Sequence, residues 1–169
     1  MKTVELLLKE IEDADSASKL ADAVKELAAI GVMTQDSSVV PYLIQALGYN
    51  NPGAAVAAVD GLIAIGEPAV EPLLALLDGY NYGARAWGLR ALSGIGDPRA
   101  LLLLLDTAQN DFALSVRRAA ARGLGTIRWE LMDESEVPAA QAAVLDVLLG
   151  TLGIRSGWCA IRGFRGWSD

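Results

Sequence analysis

Seven of the ten arginines in this 169-residue chain fall between Arg85 and Arg128, while all four lysines (Lys2, Lys9, Lys19, Lys25) lie in the first 25 residues. Arginine is the side chain suited to a planar, two-pronged grip on a carboxylate. The second half of the chain is therefore where an anion would be held, and Arg85, Arg90, Arg117 and Arg122 are the residues to hold it. Tyr80, Tyr82, Trp87 and Phe112 stand beside them in sequence. Much other chemistry is excluded. There is no histidine, which removes His-ligated zinc and any Ser–His or Cys–His catalytic arrangement. The single cysteine, Cys159, lacks a histidine partner and cannot form a disulfide framework, which fits a reducing compartment. A net charge of −7 speaks against general nucleic-acid binding.

The elements that carry these residues repeat. Asn51-Pro52-Gly53-Ala54-Ala55-Val56 lies thirty positions before Asn81-Tyr82-Gly83-Ala84-Arg85-Ala86, and Gly61 to Pro68 lies thirty before Ala91 to Pro98. A further unit opens at Asp111-Phe112, and a two-residue slip aligns Arg85 to Leu92 with Arg117 to Leu124. Each unit reads as a helix hairpin. A polar or Gly/Pro turn caps an alanine-rich helix A. Gly66 or Gly96 ends it. Pro68 or Pro98, beside an acid, opens a leucine-rich helix B. A thirty-residue hairpin cannot bury its own apolar face, so neighbours must stack. The expectation is an all-α solenoid of about four hairpins of the HEAT type. The first has helix A near 18–30 and helix B near 38–47, and the others start near 51, 81 and 111. Residues 3–13 form an N-terminal capping helix. The fourth unit carries an insertion, 129–136, before a B helix at 139–149. No apolar run is long enough to span a membrane, and the charged N-terminus does not resemble a secretion signal.

The repeat domain is expected to cover 1–152. From 153 to 169 the sequence loses helical periodicity and gathers glycine, arginine and tryptophan. Codons for Gly153 to Ala160 can be chosen so that a one-base shift reads Asp-Pro-Glu-Trp-Val-Val-Arg, the opening of another helix A. The tail is accordingly read as a frameshifted fifth repeat, against the plainer alternative of a short terminus packing its tryptophans on the last hairpin. An open terminal repeat exposes apolar surface, which implies a hetero-partner or self-association.

Four stretches together resemble one family: Gly48 to Val59, Leu77 to Trp87, Gly94 to Leu101 and Asp111 to Ala120. They are similar to the CpcF-type subunit of the heterodimeric phycobilin lyases of cyanobacteria, most specifically in Tyr80-Asn81-Tyr82-Gly83-Ala84-Arg85-Ala86-Trp87, and the likeness covers roughly 38–152. It implies a lyase subunit without a metal or permanent cofactor, acting with a CpcE-type partner in the cyanobacterial cytosol near phycobilisomes. The pair would carry phycocyanobilin, its substrate, to a cysteine of the phycocyanin α subunit and promote thioether formation. Related isomerising lyases use a His–Cys pair. With no histidine and no cysteine before 159, this chain is expected to attach without isomerising.

A bilin is a long conjugated tetrapyrrole with two propionates, so it needs an apolar and aromatic surface plus cations. The candidate contacts are Tyr80, Tyr82, Arg85, Trp87, Arg90, Arg117 and Arg122; no catalytic residue is assigned. A structural reading competes at each. Arg85 and Arg117 sit where repeat arrays pair an arginine with an aspartate at the hairpin start. Arg90 and Arg122, five residues on, are solvated surface in the plainer view, and Trp87 is packing. Gly88 and Gly94, unfavourable inside a helix, imply close helix contact. Two other functions stay open: a non-catalytic adaptor for phycobilisome assembly or degradation, and a ligand-free protein-binding scaffold.

Overall fold

The computed structural model describes residues 2–77 and 82–151, and among these it is helical with no strand. A short helix, α1 (Val4–Glu12), capped by the Thr3 hydroxyl, precedes four hairpins. Their A helices are α2 (Ala17–Thr34), α4 (Pro52–Ile65), α6 (Tyr82–Ile95) and α8 (Leu114–Leu124). Their B helices are α3 (Val40–Ala46), α5 (Val70–Leu77), α7 (Leu101–Asn110) and α9 (Val137–Thr151). The expected solenoid is present. The first A helix runs a turn further than the sequence suggests, and α9 starts earlier, with Pro138 in its first turn rather than in a loop. Pro68 and Pro98 do not open an α-helix directly. Each lies in a 3₁₀ turn, Glu67–Ala69 or Pro98–Ala100, that leads into α5 or α7.

The A helices form one layer, α2 on α4, α4 on α6 and α6 on α8. Within the other layer, α3 meets α5 and α7 meets α9. Between the layers runs a spine of fully buried leucines. Leu62, Leu92 and Leu124 come from the A helices, and Leu43, Leu73 and Leu104 from the B helices. The α1 helix closes the N-terminal end by burying Leu7 against α2. Polar caps join repeats as well as ending helices. Asn51 accepts from the Ala54 N–H at 3.1 Å to cap α4, and its amide donates to the Ala17 carbonyl at 2.8 Å.

Close approach in the A layer depends on small residues. A methyl group at Gly61 would collide with the Ala28 Cβ, and one at Gly94 would collide with the Ile63 side chain. Gly94 thus has the helix contact expected of it. Gly96 ends α6 with φ +70°, and its carbonyl accepts from the Arg128 N–H at 2.8 Å, which ties the third repeat to the fourth. Glycine to alanine inside a helix ordinarily stabilises by about 0.5–1 kcal/mol. Gly150→Ala, with nothing within 4 Å of the new methyl, should follow that rule. Gly61→Ala should instead destabilise by about 1–3 kcal/mol, because Ala28 has no rotamer by which to move aside. Urea denaturation of the two variants checks the opposite signs.

Candidate functional site

The four candidate arginines divide into two kinds. Arg85, in the first turn of α6, forms an ion pair with Asp111 (3.1 Å) at the start of the next hairpin. The Asp111 side chain is 3% exposed and also accepts from the Ala113 N–H at 2.9 Å. Arg117, in the first turn of α8, donates to the Asp111 main-chain carbonyl at 3.2 Å. Arg85 therefore ties the third repeat to the fourth, as the aspartate–arginine ladder anticipates, while Arg117 holds the opening turn of its own hairpin. The Arg85 Nε is buried and has no hydrogen-bond partner.

Arg90 and Arg122 are different: both are exposed. They are equivalent in the repeat, one on α6 and the other on α8, so they project from the same outward ridge of neighbouring helices. The Arg90 guanidinium lies over the Trp87 ring, 5.7 Å from its centroid, within cation–π range. Trp87 is half-buried and packs against the core with one part while meeting Arg90 with another. Trp87 thus has the packing role expected of it, together with a cation contact. Tyr82 is described only as the first residue of α6, and Tyr80 lies outside the described residues, as do Cys159 and the tail from 152 onward.

Two features were not anticipated from the sequence. The first is an open groove of about 500 Å³ between α2 and α4, walled by Asp22, Lys25, Val32, Met33, Val56 and Asp60. Its signal in the sequence was the run of small residues, Ala21, Ala28, Gly53 and Gly61, that draws the two helices together. The second is a hub at Arg99. Its Nε and Nη2 donate to the two oxygens of Asp97 at 2.9 Å each, and its other contacts reach Glu67 (2.9 Å) and Glu71 (3.3 Å) of the previous repeat. Glu67 and Glu71 are well exposed, so those two pairs add little. Asp97 is 5% exposed, and the Arg99 hydrogen bond holds its carboxyl below the usual carboxylate range.

These assignments separate in stability measurements. Asp111→Ala removes a turn hydrogen bond and an ion pair together and should destabilise by about 2–4 kcal/mol. Arg90→Ala, at an exposed position, should stay within about 0.5 kcal/mol of the parent. Arg99→Met should cost about 1–2 kcal/mol at pH 7. A carboxylate with a lowered folded-state pKa stabilises above its unfolded value, about 3.9, and that contribution fades as pH falls through the folded one. The gap between parent and Arg99→Met should therefore narrow below about pH 4, as read by denaturation at a series of pH values.

Known proteins agree with this geometry. The family described as HEAT repeats matches residues 50–125, and the PBS lyase HEAT-like repeat matches 116–150. The phycocyanin alpha phycocyanobilin lyase CpcF of Synechocystis sp. is 58% identical over 146 residues, 86% of this chain and 66% of that protein. A phycocyanobilin lyase subunit beta from Nostoc sp. is 46% identical over 85% of this chain and 70% of its own length. A chain in the structure of the complex of CpcE and CpcF of phycocyanin lyase from Nostoc sp. superposes with a TM-score of 0.65 at 49% identity, covering 68% of each chain. The chain spans about half to two thirds of the length of several of these curated relatives. With the repeat architecture and these identities together, the chain belongs to the CpcF-type, or beta, subunit family of the phycocyanobilin lyases.

Proposed function

We propose that this chain is one half of a phycobilin lyase, binding phycocyanobilin on its A-helix layer and acting with a CpcE-type partner. The observation that carries the reading is the exposed pair Arg90 and Arg122 on one ridge of adjacent helices, with Trp87 beside the first. Two exposed cations, one of them over an aromatic ring, suit a flat conjugated ligand with two carboxylates. Arg85 and Arg117 brace the helices that carry this pair. Tyr80 and Tyr82 enter the proposal by their place in the sequence alone, next to the residues of α6.

The chemistry asked of such a subunit is modest. The nucleophile is a cysteine thiol of the phycocyanin α subunit. It adds across the electrophilic exocyclic double bond of the bilin: the sulfur–carbon bond forms and the thiol proton goes to carbon, with no oxidant consumed. Holding the bilin in one conformation and shielding it until it meets the thiol lowers the entropic part of the barrier. The bilin is a substrate here, not a resident cofactor. No described helix is long and apolar enough to cross a membrane, which agrees with work in the cyanobacterial cytosol.

The test is co-expression with a CpcE-type partner, the apo-phycocyanin α subunit and a bilin source. The expected result is a fluorescent covalent adduct that requires both lyase subunits. Bilin binding without transfer would identify an adaptor instead, and neither binding nor transfer would leave a scaffold. Because segment 153–169 is proposed to replace a fifth repeat, a version read in the shifted frame belongs beside the parent. Arg90→Ala with Arg122→Ala should weaken bilin binding by about tenfold or more with thermal stability nearly unchanged. An intact affinity rejects the site.

A further inference from the structure

The α4 helix adds an element that the arginine surface lacks. Asp60 stands thirty residues before Arg90, and Arg122 thirty-two after it, at the same outward position of α4, α6 and α8. All three are exposed. Asp60 makes no hydrogen bond or ion pair among the described residues, so the fold does not require its charge. It also stands on the wall of the α2–α4 groove, whose far wall carries Asp22 and Lys25 and whose apolar lining includes Met33, 73% exposed, and Val56. The outward ridge therefore runs from a carboxylate beside an apolar groove to two guanidinium groups.

A linear tetrapyrrole has opposite demands at its two edges. The propionates leave from one edge and require cations. The ring nitrogens line the other, where their N–H groups require an acceptor, and a further proton turns the ring system into a delocalised cation. Packed helices lie about 8–10 Å apart, so Asp60 and Arg90 present acceptor and cation at the separation of two edges rather than of two neighbouring atoms. We propose that Asp60 accepts the ring N–H groups of the bound bilin, with the α2–α4 groove receiving the adjoining apolar ring face. This rests on the bilin reading above and adds an orientation to it. Turned the other way, the propionates would face Asp60 and the N–H edge would face the arginines, a pairing of like charges that disfavours that pose. A carboxylate beside the ring nitrogens also favours the protonated tetrapyrrole. Its proton comes from solvent, and the cation absorbs more strongly and at longer wavelength than the neutral base.

The full chain is titrated with phycocyanobilin and with its dimethyl ester, followed by visible absorption and circular dichroism at saturation. Asp60→Asn, Asp22→Asn and the Arg90→Ala/Arg122→Ala pair are compared, with thermal melts to establish folding. The parent should show an enhanced long-wavelength band. Asp60→Asn should lose that band while binding within about threefold of the parent. A folded Asp60→Asn protein that no longer binds at all, where Asp22→Asn does, reports the same contact as affinity. The arginine pair should lose about tenfold or more in affinity for the free acid, keep the affinity for the ester, and keep the bound spectrum. An unchanged bound spectrum in Asp60→Asn, or a change no different from that of Asp22→Asn, overturns the Asp60 assignment and leaves the bilin reading standing. No bound spectrum in the parent overturns the bilin reading itself.

Discussion

Helices can lie this close in one layer only if one partner at each contact is small, and this contact is what the rest of the stack depends upon. Gly61 against Ala28 and Gly94 against Ile63 bring consecutive A helices together. That approach aligns the leucine spine and lets Asn51 reach the Ala17 carbonyl and Arg85 reach Asp111. It also brings equivalent positions on successive helices within range of one ligand. The surface chemistry is thus a by-product of the packing: a single outward position, repeated at each hairpin, carries Asp60, Arg90 and Arg122.

Most of the architecture was legible because the repeat leaves a strong periodic mark. The thirty-residue offset located three of the hairpins, and glycines at 66 and 96 marked real helix ends with positive φ. The details that escaped are local contests of geometry. Proline at 68 and 98 satisfies a 3₁₀ turn as well as the first turn of an α-helix, since both accept its fixed φ and missing N–H. Periodicity alone does not separate them. The site was legible in half measure. Arg85 and Arg90 are alike in composition terms, and what divides them is that Arg85 lies within reach of a buried aspartate twenty-six residues later. The groove between α2 and α4 was less legible still. It arises from residues that are small rather than from any that carry chemistry, and one of its walls, α2, comes from the repeat whose sequence resembles the others least.

Arg99 illustrates a related lesson. In sequence it belongs to a turn motif, Asp97-Pro98-Arg99, and nothing there distinguishes it from a solvated cation. In the fold it clamps the Asp97 carboxylate with two hydrogen bonds and extends to Glu67 in the previous unit. Charge that looks superficial along the chain becomes a joint between units once the hairpins are stacked, because stacking sets every turn beside its predecessor.

The two layers are not equally coupled. The A helices approach closely at small residues, Gly61 on Ala28 and Gly94 on Ile63, whereas the first three B helices are each shorter than the A helix before them. Mechanically this is a fan with a stiff rib line: bending would be taken up by the B layer spreading or closing, while the A layer acts as the pivot. A ligand lying across the A ridge would then sit at the pivot, where neighbouring side chains keep their spacing as the array flexes. A partner that gripped the B layer could change the curvature of the whole stack without disturbing the row of charges on the opposite side.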